Sequence, residues 1–362
     1  MQRLFTRDTP EAYRFFTRGL DVERIRREPW HRRWWIYARE LFVRFSMRLS
    51  PARRALYAFA VIFTVVGMLE LFVGFETRRL WVFPFHIRLP LPVWPQGTMK
   101  LFLGFIAMQL LMFMEIADRL SLKGELEIAR DIQLAMLPRG ISELQNARAC
   151  GLTRPANTVG GDFYDILTLP DGRVIITVGD VAGKGSPAAL LMALLLAMMR
   201  TLVDEGLESA KLLARLNVQI VRHSPGSRFI TLFYALYDPA TGQIEYVNAG
   251  HLPPIIHRQD GSFDRLTSGN IALGMFEGST YESHRAELRP GDAIILYSDG
   301  ITEAENTAGR EFDEAGLTAT ITAAATHEPE VLGRAILKAV DEHAGDARLG
   351  DDLTVLVLSR NA

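Results

Sequence analysis

The sequence holds a single cysteine, Cys150, in 362 residues. This excludes an intramolecular disulfide framework and any zinc site built from several cysteines, and it fits a chain facing a reducing compartment. Cysteine-based phosphate chemistry is missing as well. It needs five residues between cysteine and arginine, whereas CGLTR runs from Cys150 to Arg154. Lysine is absent from the first 54 residues, which carry fourteen arginines against six acids, a net of +8. Beyond residue 121 the balance reverses, with 21 basic and 32 acidic side chains, a net of −11. An acidic body argues against direct nucleic-acid binding. The first apolar run starts too late for a cleavable signal peptide.

Long apolar runs are present twice. Ala55 to Phe75 is 21 residues with one charge, Glu70, long enough to cross a bilayer core of about 30 Å. Met99 to Ala117 is a second, with Lys100 and Glu115 near its ends. A two-helix transmembrane hairpin over 55–117, spans 55–75 and 99–117, follows. Arginine before it places both termini in the cytoplasm, so the chain reads as a multi-pass protein of a bacterial inner membrane. The stretch 76–98 is expected to be a short interfacial loop outside, and Glu70 is either a sensing group or an interface-proximal carboxylate. Residues 1–54 form a basic cytoplasmic segment. Within it Pro29 to Phe45 mixes tryptophan with arginine, as an amphipathic helix on anionic lipid would, or a helix packed beside the spans.

A helical linker covers 118–138. Leu122, Leu126, Ala129, Gln133 and Met136 recur at steps of four and three up to Pro138, which suits a short dimerising coiled coil or a lone helix on its own domain. Residues 139–362 mix α and β: strands are expected at 163–168, 173–178, 229–237, 244–248, 254–257, 293–297 and 353–358. Helices are expected from 187, at 208–223, 312–323 and 329–343. Strands joined by hairpins around long helices indicate an α+β fold of packed sheets flanked by helices, since the strict alternation of a doubly wound sheet is absent.

The chemistry lies in aspartates at strand ends: Asp162 in GGDFYD, Asp180 in VGDVAGKG, Asp299 in LYSDG, and Asp351 with Asp352 in GDDLTV. Any one beside glycine is as well explained by a turn. Converging, they would repel unless divalent metal neutralised them, and oxygen ligands favour magnesium or manganese. Two such ions about 3.5 to 4 Å apart activate a water against phosphorus.

Over residues 125–358, ELEIARDIQLAMLP, VGGDFYD, GDVAGKGSPAALLMA, NAGHLPP, LYSDGITEA and GDDLTVLVL follow in order. The chain thereby resembles the bacterial SpoIIE/RsbU-type serine phosphatases, a branch of the metal-dependent PPM phosphatases. The resemblance implies an α/β/β/α sandwich of two antiparallel sheets with two manganese or magnesium ions between them, a third being left open. It implies that Asp180 bridges the ions, the Val181 carbonyl and Asp162 bind one, and Asp299 and Asp351 bind the other. Gly161, Asn248, His251, Gly300 and Asp352 would adjoin substrate or ligands, Asp352 being the poorer ligand candidate and His251 either a general acid or a structural histidine. Lys184 either attracts a phosphate or is a solvated lysine in a glycine loop. The resemblance further implies a phosphoserine or phosphothreonine substrate on a STAS-type anti-anti-sigma partner, and dimerisation through the linker. A non-catalytic, membrane-tethered phosphoprotein-binding module is the alternative. A nucleotide-binding loop is disfavoured, because GDVAGKGS has three residues, not four, between Gly179 and Gly183-Lys184.

Overall fold

The computed structural model describes residues 49–361, with breaks at 74, 83–84, 93–94 and 225–227, together with single positions between 29 and 47. Residues 1–28 of the basic segment, and its amphipathic stretch Pro29 to Phe45 apart from isolated positions, therefore lie outside the described residues, whereas 49–54 lead into the first helix. The chain divides into two compact units, residues 1–122 and 123–362.

In the first unit, α1 (Pro51–Val73) is followed by β1 (Phe75–Val82), β2 (Phe85–Pro92) and the start of α2 (Pro95–Met136). Both helices are long and apolar enough to cross a membrane. They meet through small residues: a Cβ on Gly104 would lie 3.0 Å from the Ala60 carbonyl, and one on Gly97 3.0 Å from that of Gly67. Such backbone proximity is how helices associate where lipid removes the hydrophobic incentive. Ile62, Leu69, Phe102 and Phe113 point outward. Arg53 pairs with Asp118 at 2.6 Å, and Glu70 pairs with Lys100 on the facing helix. The expected loop is instead an antiparallel hairpin, Phe75 opposite Pro92 and Val82 opposite Phe85. Pro90 and Pro92 fit in β2 because a two-stranded ribbon leaves the outer N–H positions of each strand unpaired.

The second unit begins within α2 and continues as β3 (Ile141–Leu144), β4 (Ala147–Arg154), β5 (Phe163–Thr168) and β6 (Val174–Val181). Two helices follow, α3 (Ser186–Asp204) and α4 (Ser209–His223), then β7 (Ile230–Tyr237), β8 (Gln243–Ala249), β9 (Ile255–His257), β10 (Phe263–Arg265), β11 (His284–Glu287) and β12 (Ala293–Tyr297). The chain closes with α5 (Asp299–Thr302), α6 (Asp313–Ala324), α7 (Pro329–Ala344) and β13 (Leu353–Arg360). One sheet has the order β10-β9-β12-β13-β4-β3 and the other β11-β8-β7-β6-β5. Every neighbouring pair is antiparallel.

Apolar side chains from both sheets, among them Phe163, Ile176, Phe233, Leu296 and Leu356, form one core with α3 and α4. A second core lies where Leu317, Ile321, Leu332 and Ile336 of α6 and α7 cover the six-stranded sheet. The layers are thus α/β/β/α, as expected. Length and composition alone would also admit α3 as a membrane span, but Ala188, Leu191, Leu195 and Met199 are buried in the core.

Candidate metal centre

The β5–β6 hairpin is positioned by its turn. Leu169 N–H donates to the Arg173 carbonyl at 2.8 Å and Gly172 N–H to that of Leu169 at 3.0 Å, with Gly172 at φ 87°, a conformation glycine adopts without steric cost. Phe163 then faces Gly179, which brings Asp162 and Asp180 together at the far end of the pair. The second carboxylate group comes from the other sheet. Asp299 follows β12 and opens α5, and Asp351 and Asp352 precede β13. Ser298 N–H donates to the Thr354 carbonyl at 3.0 Å, and Thr354 N–H returns a bond to Ser298 Oγ at 3.0 Å, so these two ends are tied.

The electrostatics record the convergence. Burial, then Asp180 and Asp352, hold the Asp162 carboxyl well above the usual carboxylate range. Asp180 is pushed up to about 7 by burial and by Asp299, Asp351 and Asp352. Asp299 is raised by burial and by Asp351. Asp162 Oδ2 is shut from solvent without a hydrogen-bond partner. A Cβ on Gly161 would lie 2.9 Å from both Asp180 Oδ1 and the Val181 carbonyl, so glycine keeps open the space these oxygens line. An orphaned carboxylate oxygen, mutually repelling acids and a hard-oxygen donor set fit divalent cations. Among the described residues no three His, Cys, Asp or Glu side chains close into a finished cage. Asp351 Oδ2 instead receives Lys184 Nζ at 2.8 Å.

The other predicted residues take distinct places. Asp352 accepts from Ala156 N–H at 2.7 Å through Oδ1 and from Gly161 N–H at 2.7 Å through Oδ2, so its carboxylate fixes the GGD backbone. Gly300 packs where a Cβ would strike the Asp352 carbonyl. Lys184 Nζ also reaches the Gly350 carbonyl at 2.7 Å. Asn248 Oδ1 accepts from His251 N–H at 2.8 Å and its Nδ2 donates to the His251 carbonyl at 3.0 Å. His251 Nδ1 meets Thr231 Oγ1 at 3.0 Å, and burial pushes its imidazole down to about 4, which leaves it neutral near pH 7.

Gln133 supplies an element that its place in the predicted seam did not reveal. It is 5% exposed, and its amide donates to the Gly160 carbonyl at 2.8 Å and faces Gly160 N–H at 3.3 Å. Arg200 donates to the Met136 carbonyl at 2.7 Å and to Asp165 at 2.8 Å. The end of α2 is therefore fastened beside the GGD loop, and its exposed apolar side chains are Leu122, Ile128 and Ile132. The polar residue within an apolar stripe was the available signal.

The family profile described as Stage II sporulation protein E (SpoIIE) matches residues 170–361. Protein IcfG of Synechocystis sp. is 30% identical over 274 residues, covering 68% of this chain and 43% of that protein. Phosphoserine phosphatase RsbU of Bacillus subtilis is 32% identical over 190 residues, covering 52% and 56% respectively. The chain spans about half the length of the curated relatives it matches. Among solved structures, the SiaA-PP2C domain of Pseudomonas aeruginosa superposes with a TM-score of 0.59 at 21% identity, covering 68% of this chain and 99% of that one. The RsbU and RsbW domains of a Mycobacterium tuberculosis protein give 0.52 at 26% identity, covering 59% and 62%.

Proposed function

The chain belongs to the SpoIIE family, and on that premise we propose that it is a membrane-anchored, metal-dependent protein serine/threonine phosphatase. The observation that carries this reading is the convergence of Asp162, Asp180, Asp299 and Asp351 from two sheets, with a buried carboxylate oxygen of Asp162 left unpartnered. Manganese or magnesium held by those side chains and the Val181 carbonyl would offset their charge, draw in phosphoryl oxygens and acidify a water. Asp180 would serve both metal positions; its mutual influence with Asp162 and the upward push it receives from Asp299 and Asp351 support this role. Asp352 and Gln133 hold the Gly160–Asp162 backbone, and hence the approach to Asp162. His251 serves the fold through Asn248 and Thr231.

The substrate is a phosphoserine or phosphothreonine on a regulatory protein, and a STAS-type anti-anti-sigma partner suits the family. RsbU, named a phosphoserine phosphatase, supports that substrate class. We assign residues 1–54 to a cytoplasmic basic segment, 55–117 to a hairpin in the bacterial inner membrane, 118–138 to the linker and 139–362 to a cytoplasmic phosphatase domain. The small-residue contact between α1 and α2 supports the hairpin. A homodimer through Leu122, Ile128 and Ile132 would place a membrane-derived signal on α2, and through Gln133 on the metal centre.

The test is phosphate release from a phosphoserine peptide by the full chain in detergent with manganese, beside Asp180→Asn. Turnover that needs the ion and falls at least a hundredfold in the variant is expected. A folded, manganese-binding chain without turnover would point to the phosphoprotein-binding alternative.

A further inference from the structure

Among the described residues, Asp351 is the one carboxylate of the metal centre that forms an ion pair with a cation of its own chain. Lys184 Nζ lies 2.8 Å from Asp351 Oδ2 and 2.7 Å from the Gly350 carbonyl. The other oxygen, Oδ1, accepts from Asp352 N–H at 3.0 Å, so both oxygens of Asp351 are in use within the chain. The local backbone explains how the lysine reaches them. Gly183 has φ 110° and Gly185 φ 77°, values that glycine adopts without steric cost. The chain therefore turns sharply on either side of Lys184, between the end of β6 at Val181 and the start of α3 at Ser186. A loop leaving the five-stranded sheet thus delivers its ammonium to the segment that precedes β13 of the six-stranded sheet.

The pair is open to water, with Lys184 56% and Asp351 44% exposed. Such a pair shifts an equilibrium only about two- to fivefold. A lysine is a single charge on a flexible stem, whereas a divalent ion gathers several carboxylate oxygens at once. The lysine's charge reaches Asp299 as well. We propose that Lys184 is a built-in competitor for the second cation position: its ammonium occupies Asp351 until a divalent ion displaces it, so that Asp299 and Asp351 fill at a higher metal concentration than Asp162 and the Val181 carbonyl. This rests on the metal assignment of the phosphatase reading, and it gives Lys184 a role other than attracting phosphate or lying free in solvent.

Manganese binding to the full chain in detergent, without substrate, is followed by electron paramagnetic resonance of the free ion. Wild type should show one tighter and one weaker class of site. Lys184→Gln should tighten the weaker class about two- to fivefold and leave the tighter one unchanged. Lys184→Arg, whose fork pairs a carboxylate through two bonds, should not tighten it. Added to Asp351→Asn, Lys184→Gln should bring no further change, because its partner is gone. The lysine is exposed, so Lys184→Gln should melt with wild type when no metal is added. Unchanged or weakened manganese binding in Lys184→Gln would overturn the proposal. An equal gain in the Asp351→Asn background would do so too, by marking a general effect of charge. A raised KM for a phosphoserine peptide with unchanged metal binding would overturn it and give Lys184 to the substrate. A single class of site in wild type, or none, overturns it as well. A wild type that binds manganese in two classes yet releases no phosphate ends the phosphatase reading, while the binding titrations still decide the role of Lys184.

Discussion

At the scale of single residues, Asp180 is held in a protonation state that opposes its proposed role as a metal ligand. With its carboxyl raised to about 7, the folded metal-free protein takes up a proton that the unfolded chain, near the ordinary value, does not. This proton stabilises the fold at acid pH, and the benefit disappears as pH rises through about 7. Manganese must displace it, so apparent metal affinity should climb through pH 7 with proton release. Titration calorimetry in two buffers of different ionisation enthalpy checks this, and Asp180→Asn should reduce the buffer dependence, leaving the share that comes from Asp162 and Asp299. Gln133→Ala removes the amide from Gly160 and should cost about 1–3 kcal/mol while raising the manganese concentration needed for half-maximal turnover. A thermal melt and a metal titration read the two effects. The aspartates were legible because glycine beside an acid recurs after apolar strands. The role of Gln133 was not, because its bond to Gly160 joins positions 27 residues apart, which a local motif does not carry.

At the scale of elements, the strands with plain boundaries were readable: Phe163 to Thr168 and Ala293 to Tyr297 are the observed β5 and β12. β4 was missed. Its sequence, ARACGLTR, has small and polar residues where a strand usually shows branched ones, because it is covered on both faces and Tyr164 occupies the room a side chain at Gly151 would take. Gly151→Ala should therefore destabilise by about 1–3 kcal/mol through overpacking, measured by denaturant unfolding. The linker was read as a helix, but the surface it would offer a partner differs from the expected seam. Gln133 and Met136 are used on the chain's own second unit, so a hydrophobic repeat alone could not say which stripe was still available.

At the scale of the whole molecule, two units with opposite packing patterns share one sequence. The hairpin is apolar outside and small within, and the second unit has the opposite arrangement, with its large aliphatic residues inside. In the first unit Gly104→Leu should force α1 and α2 apart, because Ala60 and Thr64 already crowd that glycine. A lowered melting temperature of the full chain in detergent checks this. The arginine-rich start and the two apolar runs made this division readable, whereas the β1–β2 hairpin escaped because its proline content imitates a loop.

The solitary Cys150 is 2% exposed in β4, and burial raises its thiol further from reactivity. The native chain should thus remain silent toward water-soluble maleimides while folded. Any cysteine installed at Leu122, Ile128 or Ile132 becomes the sole labelled position, so a spin or fluorescent reporter could follow α2 without first removing the native thiol.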